Sequence, residues 1–243
     1  MTKTATAPAP HPLFTQIKSR ITERVTAGEW KVGESLPSET EFAAHYGVSQ
    51  GTVRKAIAEM ALENLVIRRR GKGTFVASHT EERERSHFFH LCNDNGAKEF
   101  PEARELSCSK RKSNGEVEKR LGIRPNSDIV VVDRLRLIGG VPIDCETVVV
   151  PEMLFPEFSV SYRKDLPNEF YPYYESHYGI RVIRAVERLR AATASSHEAK
   201  HLDIKKGAPL LEIDRIAFTY NDRPVEWRLS RCNTESHHYL SML

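Results

Sequence analysis

The first third of the chain constrains the fold most, because three helical patterns are followed there by a short basic hairpin. Apolar residues recur at helical spacing from Leu13 to Ala27, with Pro12 before the segment and Gly28 after it. Residues 38–41 have the sequence Ser-Glu-Thr-Glu, an S-x-x-E capping box whose side chains satisfy free N–H groups in the first turn of a helix. This second helix is expected to stop at Gly47.

The third helix and the hairpin complete the pattern. Ser49 is expected to cap this helix, and Asn64 is able to end it in the left-handed conformation. Its predicted core face consists of Val53, Ala56, Ile57 and Met60. Residues 65–70 and 74–76 then have the character of two short strands around a Gly71-Lys72-Gly73 turn. This order of elements predicts a winged helix-turn-helix.

Positive charge is concentrated in the same part of the chain. Residues 1–78 contain 11 Lys and Arg against 7 Asp and Glu, a surplus of +4, whereas the rest contains 25 against 26, or −1, which gives the net +3. A positive surplus at one end favours a polyanion such as double-stranded DNA as the partner of that end.

The N-terminal end of the third helix is the part that enters the major groove in a helix-turn-helix. Gln50 offers an amide able to read adenine, Gly51 permits close approach, and Arg54 offers charge. The basic hairpin suits phosphate or minor-groove contact. The predicted DNA-binding residues are Ser38, Thr40, Ser49, Gln50, Gly51, Thr52, Arg54, Lys55, Arg69, Arg70, Gly71, Lys72 and Gly73. The alternative, a solvated basic face on a helical bundle, is less favoured because the capping box, hairpin and spacing occur together.

The remainder of the chain contains an internal repeat with an offset of 81 residues, in which Asp133-Arg134 matches Asp214-Arg215. Each repeat unit has the pattern of a helix, a strand, a turn and a strand. The expected elements are Glu116–Leu121, Ile129–Ile138 and Val141–Val150, then Ser196–Leu202, Leu210–Tyr220 and Pro224–Cys232. A further strand is expected at Arg181–Ala191. The pattern predicts an α+β domain on an antiparallel sheet with pseudo-symmetry.

Four parts are expected along the chain: a disordered tail at 1–11, a DNA-binding domain at 12–77, a charged linker at 78–85 and an effector-binding domain at 86–243. The tail lacks a signal-peptide pattern and no run of about 18 apolar residues occurs, so we expect a cytoplasmic protein associated with the nucleoid. Four scattered cysteines without C-x-x-C spacing argue against disulfides and structural zinc, and no cofactor or metal is expected.

Several motifs in residues 12–77 keep an order and spacing that resemble the DNA-binding domain of GntR-family regulators. They are Pro12-Leu13-Phe14 with Gln16-Ile17, Leu36-Pro37-Ser38-Glu39, Gly47-Val48-Ser49, Thr52-Val53-Arg54 and Gly71-Lys72-Gly73-Thr74-Phe75-Val76. This resemblance implies a transcription regulator, which we expect to be a repressor.

Residues 86–243 resemble the UTRA effector domain of the HutC branch. The motifs are Asp133-Arg134-Leu135-Arg136, Gly140-Val141-Pro142, Glu146, Phe155-Pro156, Tyr178-Gly179-Ile180, Gly207-Ala208-Pro209-Leu210-Leu211 and Arg223-Pro224-Val225-Glu226-Trp227. UTRA domains are similar in fold to chorismate lyase but serve as ligand sensors. The resemblance implies a homodimer on a palindromic operator, released when a small-molecule effector binds.

Strand alternation places Arg134 and Arg136 on one face of their strand, and Glu226 and Arg228 on one face of a later one. Two arginines can hold a carboxylate or phosphate bidentately. From the strand pattern alone an ion-pair network on a solvated sheet face is favoured, but the family places effector contacts at these Arg-x-Arg and Glu positions. The predicted contacts are Arg134, Arg136, Glu146, Glu226, Arg228, His87 and Phe89. Aromatic and imidazole groups dominate residues 86–91, which favours an organic acid over a phosphosugar.

Two enzyme classes remain as alternatives. His197, Glu198 and His201 match the H-E-x-x-H helix of zinc hydrolases. Their repeat counterpart begins at Glu116 and ends at Arg120, which cannot ligate zinc, so a plain surface helix is favoured. A chorismate-lyase-like activity follows only from the fold resemblance, and a basic wing has no use in a lyase. We therefore expect no catalytic residues.

Overall fold

The computed structural model describes residues 12–63, 65–77, 89–93, 99–165 and 167–241. These residues form two compact units that divide after residue 78. Asn64, His87, the expected tail and the expected linker lie outside the described residues. Within the described ranges, no helix is long and apolar enough to cross a membrane.

The N-terminal unit has the predicted order of elements. Three helices, α1 (Leu13–Thr26), α2 (Glu39–Tyr46) and α3 (Gln50–Leu62), are followed by an antiparallel hairpin of β1 (Val66–Arg69) and β2 (Gly73–Val76). The winged helix-turn-helix is therefore confirmed. Two details differ from the sequence analysis: Gly73 belongs to β2 rather than to the turn, and Ser35 forms an additional bridge with Phe75.

Local capping explains where α2 and α3 begin and end. The Ser38 hydroxyl accepts a hydrogen bond from the Glu41 N–H, and the Glu41 carboxylate accepts one from the Ser38 N–H, so the capping box is formed in full. Gly47 ends α2 with φ +63°, a conformation that favours glycine. Ser49 caps α3 by accepting from the Thr52 N–H. The predicted core face of α3 is completely buried.

The C-terminal unit contains four helices and eight strands within the described residues. The helices are α4 (Gly115–Leu121), α5 (Phe158–Asp165), α6 (Phe170–Tyr178) and α7 (Ser196–Leu202). The strands are β3 (Leu91–Asn93), β4 (Glu102–Lys112), β5 (Asp128–Ile138), β6 (Val141–Pro151), β7 (Arg184–Thr193), β8 (Pro209–Phe218), β9 (Pro224–Cys232) and β10 (His237–Tyr239). A 3-10 turn, Tyr220–Asp222, joins β8 to β9.

Six of these strands form one antiparallel sheet in the order β4-β5-β6-β9-β8-β7, and β3 pairs separately with β10. The strand order is symmetric about the β6–β9 pair, so the predicted repeat is present as two halves. The first half consists of β4, α4, β5 and β6, and the second of β7, α7, β8 and β9. The N-caps of α4 and α7, Asn114 and Ser195, are 81 residues apart, as are their left-handed C-caps Gly122 and Asp203. The sequence analysis recognised β7 but missed β4, its counterpart in the first half.

The two faces of the sheet are covered differently. On one face, α5 and α6 supply aromatic rings such as Phe158, Phe170 and Tyr174 to a core with valines of β5 and β6. On the other face, α4 and α7 pack over separate small apolar clusters. The face under α6 carries Arg134 and its charged neighbours, so those groups are buried rather than solvated.

Candidate functional site

A groove in the N-terminal unit brings together many of the predicted DNA-binding residues. It lies between the N-terminal ends of α2 and α3 and the hairpin, and we call it the wing groove. Eight of the predicted residues line it: Ser38, Thr40, Gln50, Arg69, Arg70, Gly71, Lys72 and Gly73. The Gln50 amide donates to the Thr40 hydroxyl at 3.4 Å, which joins the two helix ends across the groove.

The other predicted residues lie on α3 or at its cap. The Ser49 and Thr52 hydroxyls are 2.9 Å apart, while Ser38 and Ser49 each hold a helix N-terminus as described above. Gly51 is exposed, and the Lys55 ammonium lies 3.9 Å from the centre of the Phe14 ring. Both serines therefore have a structural role whether or not they contact DNA.

Glu39 connects the helix to the wing, and the sequence analysis did not identify it. Its carboxylate accepts hydrogen bonds from Arg54 on α3 and Arg68 on β1, both at 2.9 Å. The Arg54 side chain is nevertheless 59% exposed, and such exposed pairs contribute at most about 1 kcal/mol each. Both guanidinium groups are therefore accessible to DNA phosphates or bases at little cost.

In the C-terminal unit, a buried network of charges crosses the sheet. The Glu146 carboxylate forms ion pairs with Arg134 and, at 3.0 Å, with Arg228. Arg228 also donates two hydrogen bonds of 2.9 Å to Glu226. The hydroxyl of Tyr174 donates to Glu226 at 2.7 Å. Four predicted effector residues are thus bound to one another beneath α6.

The charges in this network shift one another's pKa values. Burial by itself raises the pKa of Glu146, but the positive charges of Arg134 and Arg228 outweigh that effect and hold it well below its usual range. Burial lowers the pKa of Arg136, and the positive charge of Arg134 lowers it further. Glu146 is therefore an anion at neutral pH, and Arg136 lies among side chains of both charges, of which Glu146 and Glu169 raise its pKa.

A pocket opens on this sheet face beside the antiparallel β3–β10 pair, and we call it the sheet-face pocket. Its cavity volume is about 40 Å³, and the rest of the concave region is open to solvent. Four predicted effector residues line it: Phe89, Arg136, Glu146 and Arg228. The other lining residues were not predicted from the sequence; they are His90, Leu91, Asp144, Glu169, Ile213, Arg215, Ser230, Cys232 and Tyr239.

Arg134 and Glu226 do not line the sheet-face pocket. Arg134 is fully buried, stacks 3.9 Å from the centre of the Phe170 ring and donates to the Asn168 carbonyl at 3.1 Å. Arg136 donates to the same carbonyl at 2.7 Å, and to Glu169 at 3.2 Å. Both arginines therefore hold the segment before α6 against the sheet, but only Arg136 reaches the pocket.

The H-E-x-x-H helix has a structural explanation. Glu198 completes a capping box with Ser195 at the start of α7, and its other carboxylate oxygen accepts from Arg231 at 3.3 Å. The His197 and His201 rings lie 4.6 Å apart on the helix surface. Over the described ranges, no group of three His, Cys, Asp or Glu side chains is arranged to hold a metal ion. Glu198 is thus engaged in capping rather than free to act as a base.

A winged helix-turn-helix joined to a second unit, in which charged side chains line a pocket open to solvent, is the arrangement of a DNA-binding regulator with a sensor domain. The chain belongs to the GntR family of bacterial regulatory proteins: the family model matches residues 13–76, and that of the UTRA domain matches residues 98–238. The family consists of transcription regulators, not enzymes, which answers the two enzyme alternatives.

Relatives along nearly the whole chain agree with this assignment. The chain is 32% identical to the transcriptional regulator YurK of Bacillus subtilis, over 88% of each protein. It is 30% identical to the transcriptional repressor NagR of the same organism, over 90% of this chain and 89% of NagR. The C-terminal unit is similar in structure to the ligand-binding domain of a GntR-family regulator from Bordetella bronchiseptica, with TM-score 0.60 and 30% identity over 63% of this chain and 96% of that domain.

Proposed function

We propose that this regulator is a homodimeric repressor that binds a palindromic operator and releases it when a small anionic effector, an organic acid, occupies the sheet-face pocket. The observation that carries the proposal is the convergence of Arg136, Arg228 and Phe89 on one pocket of the sensor unit. A pocket with cationic groups and an aromatic wall suits a small carboxylate.

On the DNA side, α3 supplies base contacts and the wing supplies backbone contacts. Arg54 and Gln50 lie near the N-terminal end of α3, the end that enters the major groove. Arg69, Arg70 and Lys72 surround the turn of the wing and are exposed. Two copies related by a twofold axis place two such units on the half-sites of a palindrome.

On the effector side, Arg136 is the anchor for the anion. Among the described residues it uses two N–H groups for Asn168 and Glu169, and a guanidinium has five. Burial and the positive charges of Arg134 and Arg228 lower its pKa, while Glu146 and Glu169 offset part of that effect. A bound anion adds to this compensation. Arg134 and Glu226 then act as positioning residues for Arg136, Glu146 and Arg228.

Effector and operator must be coupled through the relative placement of the two units, because a ligand shifts an equilibrium only by its differential affinity for two states. We assign this coupling to the linker at residues 78–85, and the protein to the cytoplasm, where its operator lies. The effector and the operator then lower each other's affinity for the protein by the same factor.

The test uses the full-length chain and an operator selected from random double-stranded DNA. Fluorescence anisotropy with a library of organic acids should find compounds that release the operator, and light scattering should give a dimer. Arg136→Gln should keep operator affinity and lose release, whereas Arg190→Gln, a change on the exposed face of β7, should keep both. Release that is unaffected by Arg136→Gln contradicts the proposed pocket, and a monomer that binds a non-palindromic site contradicts the proposed assembly.

A further inference from the structure

One acidic side chain of the sheet-face pocket is buried with an unsatisfied oxygen. Asp144 lies on β6, directly opposite Arg136 on β5 and Cys232 on β9, and is only 6% exposed. Its Oδ1 atom has no hydrogen-bond partner among the described residues. Buried polar atoms are ordinarily paired, so an orphan in a pocket wall indicates a missing partner.

The neighbouring carboxylates are all engaged by the protein itself. Glu146 is held by Arg134 and Arg228, and Glu169 accepts from Arg136. Arg136 is the basic residue opposite Asp144, and it directs two N–H groups to the segment before α6 instead. The Asp144 carboxyl group accepts hydrogen bonds from Ser230 and Cys232, but its Oδ1 atom keeps capacity for a ligand.

The pKa of Asp144 is consistent with a carboxyl group that can bind a cationic ligand. Burial raises its pKa to about 7, and the negative charge of Glu146 contributes to the rise. A carboxyl group that keeps its proton avoids placing a second buried negative charge beside Glu146. A bound cationic group stabilises the ionised form, and the proton then leaves to solvent.

We propose that Asp144 receives a protonated amine of the effector, so that the effector is a small zwitterion whose anionic group is held by Arg136. The inference rests on the proposed effector pocket and specifies the class of molecule that fits it. Opposite residues on adjacent antiparallel strands have Cβ atoms about 4.5–5.5 Å apart. The two groups of the ligand must therefore lie close together, as they do in amino acids and amino-sugar acids.

The test compares probes that differ only in the amine. L-Glutamate with glutarate, L-aspartate with succinate, and glucosaminate with gluconate form the first pairs, extended to the common amino acids and their deaminated counterparts. Isothermal calorimetry on the full-length dimer gives the affinities. We expect at least one amino compound to bind roughly 10-fold or more tightly than its deaminated partner, which corresponds to one charge-assisted hydrogen bond.

Variants then assign that preference to one residue. Asp144→Asn, which keeps the shape but not the charge, should abolish the preference for the amine, and Asp144→Ser should do the same if the first variant folds poorly. Asp128→Asn, an exposed change on β5, should keep it. The inference is overturned if no amino compound binds, if deaminated partners bind equally well, or if Asp144→Asn keeps the preference.

The two proposals fail in different ways. If a deaminated acid binds as tightly as its amino partner and its binding depends on Arg136, the proposed effector pocket stands and only the proposed amine subsite is refuted. If neither Arg136→Gln nor Asp144→Asn changes effector affinity, the effector does not bind in the sheet-face pocket and the proposed function is refuted as well.

Discussion

Replacing Glu146 by glutamine measures how strongly the buried charge network holds the sensor unit together. The carboxylate lies between Arg134 and Arg228, and these three side chains are at most 8% exposed. Glutamine keeps the shape but removes the charge and one of the two acceptor oxygens, so either Arg134 or Arg228 loses its hydrogen-bond partner at this position. Removing one partner of a buried ion pair costs about 3–5 kcal/mol. In a protein of 150–250 residues each kcal/mol lowers the unfolding midpoint by about 2–4 °C.

The expected loss for Glu146→Gln is therefore roughly 6–20 °C in the unfolding midpoint, followed by circular dichroism at neutral pH. Because the pair is buried, the loss should persist at high salt. Since the folded-state pKa of Glu146 is lowered, its contribution is present above the unfolded-state pKa of about 4.3 and disappears as the pH falls below it. Glu116→Gln, which breaks an exposed pair with Arg120 on α4, is the matched control and should cost less than about 1 kcal/mol. Equal losses in the two variants would refute the reasoning.

Three further predictions concern the pocket and the DNA interface. Burial raises the pKa of Asp144 from 3.8 to about 7, so ionisation of this group destabilises the folded state as the pH rises through that range. Asp144→Asn should therefore stabilise the protein by up to about 4 kcal/mol near pH 8 but not near pH 4. Denaturant titrations that show the same effect at both pH values contradict this prediction. Arg54→Ala should abolish tight operator binding in gel shifts while the circular dichroism spectrum stays unchanged. If the variant binds the operator as tightly as wild type, α3 is not the recognition helix. Arg69→Ala and Lys72→Ala should weaken binding to specific and non-specific DNA about equally. Each should also reduce the slope of log affinity against log salt concentration by up to about one unit. Unchanged slopes in both variants would show that the wing does not contact phosphates.

Sequence patterns predicted the helices, strands and turns that are determined by residues close together in the sequence. The capping box at Ser38 and the serine cap at Ser49 fix where α2 and α3 begin, and both are formed as expected. The repeat predicted α7 at its observed bounds, Ser196–Leu202, and in the structure Ser195 and Asp203 cap its two ends. Two consecutive glycines with positive φ, Gly139 and Gly140, make the predicted β5–β6 hairpin turn.

Elements held by distant contacts were missed. Helix α6 contains Pro172 and is rich in aromatic residues, which have modest helix propensity, and packing against the sheet stabilises it. The pairing of β3 with β10 joins segments more than a hundred residues apart, and three-residue strands leave no periodic signal. Neither feature can be found from spacing along the chain.

The candidate site shows the same division. Strand alternation placed Arg134 and Arg136 correctly on one face, but it does not show what covers that face. Because α6 lies over Arg134, only Arg136 lines the pocket. Asp144 was missed because its burial in the pocket wall and its unpartnered oxygen are visible only in the packed structure.

The most direct test of the account is a paired titration of wild type and Arg136→Gln with one effector found in the operator-release screen. Calorimetry measures effector binding, and fluorescence anisotropy measures operator release in the same solutions. Removing one member of a buried charge pair costs about 2–5 kcal/mol, so effector affinity should fall roughly 30- to 5,000-fold, while operator affinity without effector stays unchanged. If the variant binds the effector and releases DNA as wild type does, the effector does not occupy the sheet-face pocket and the central claim is wrong.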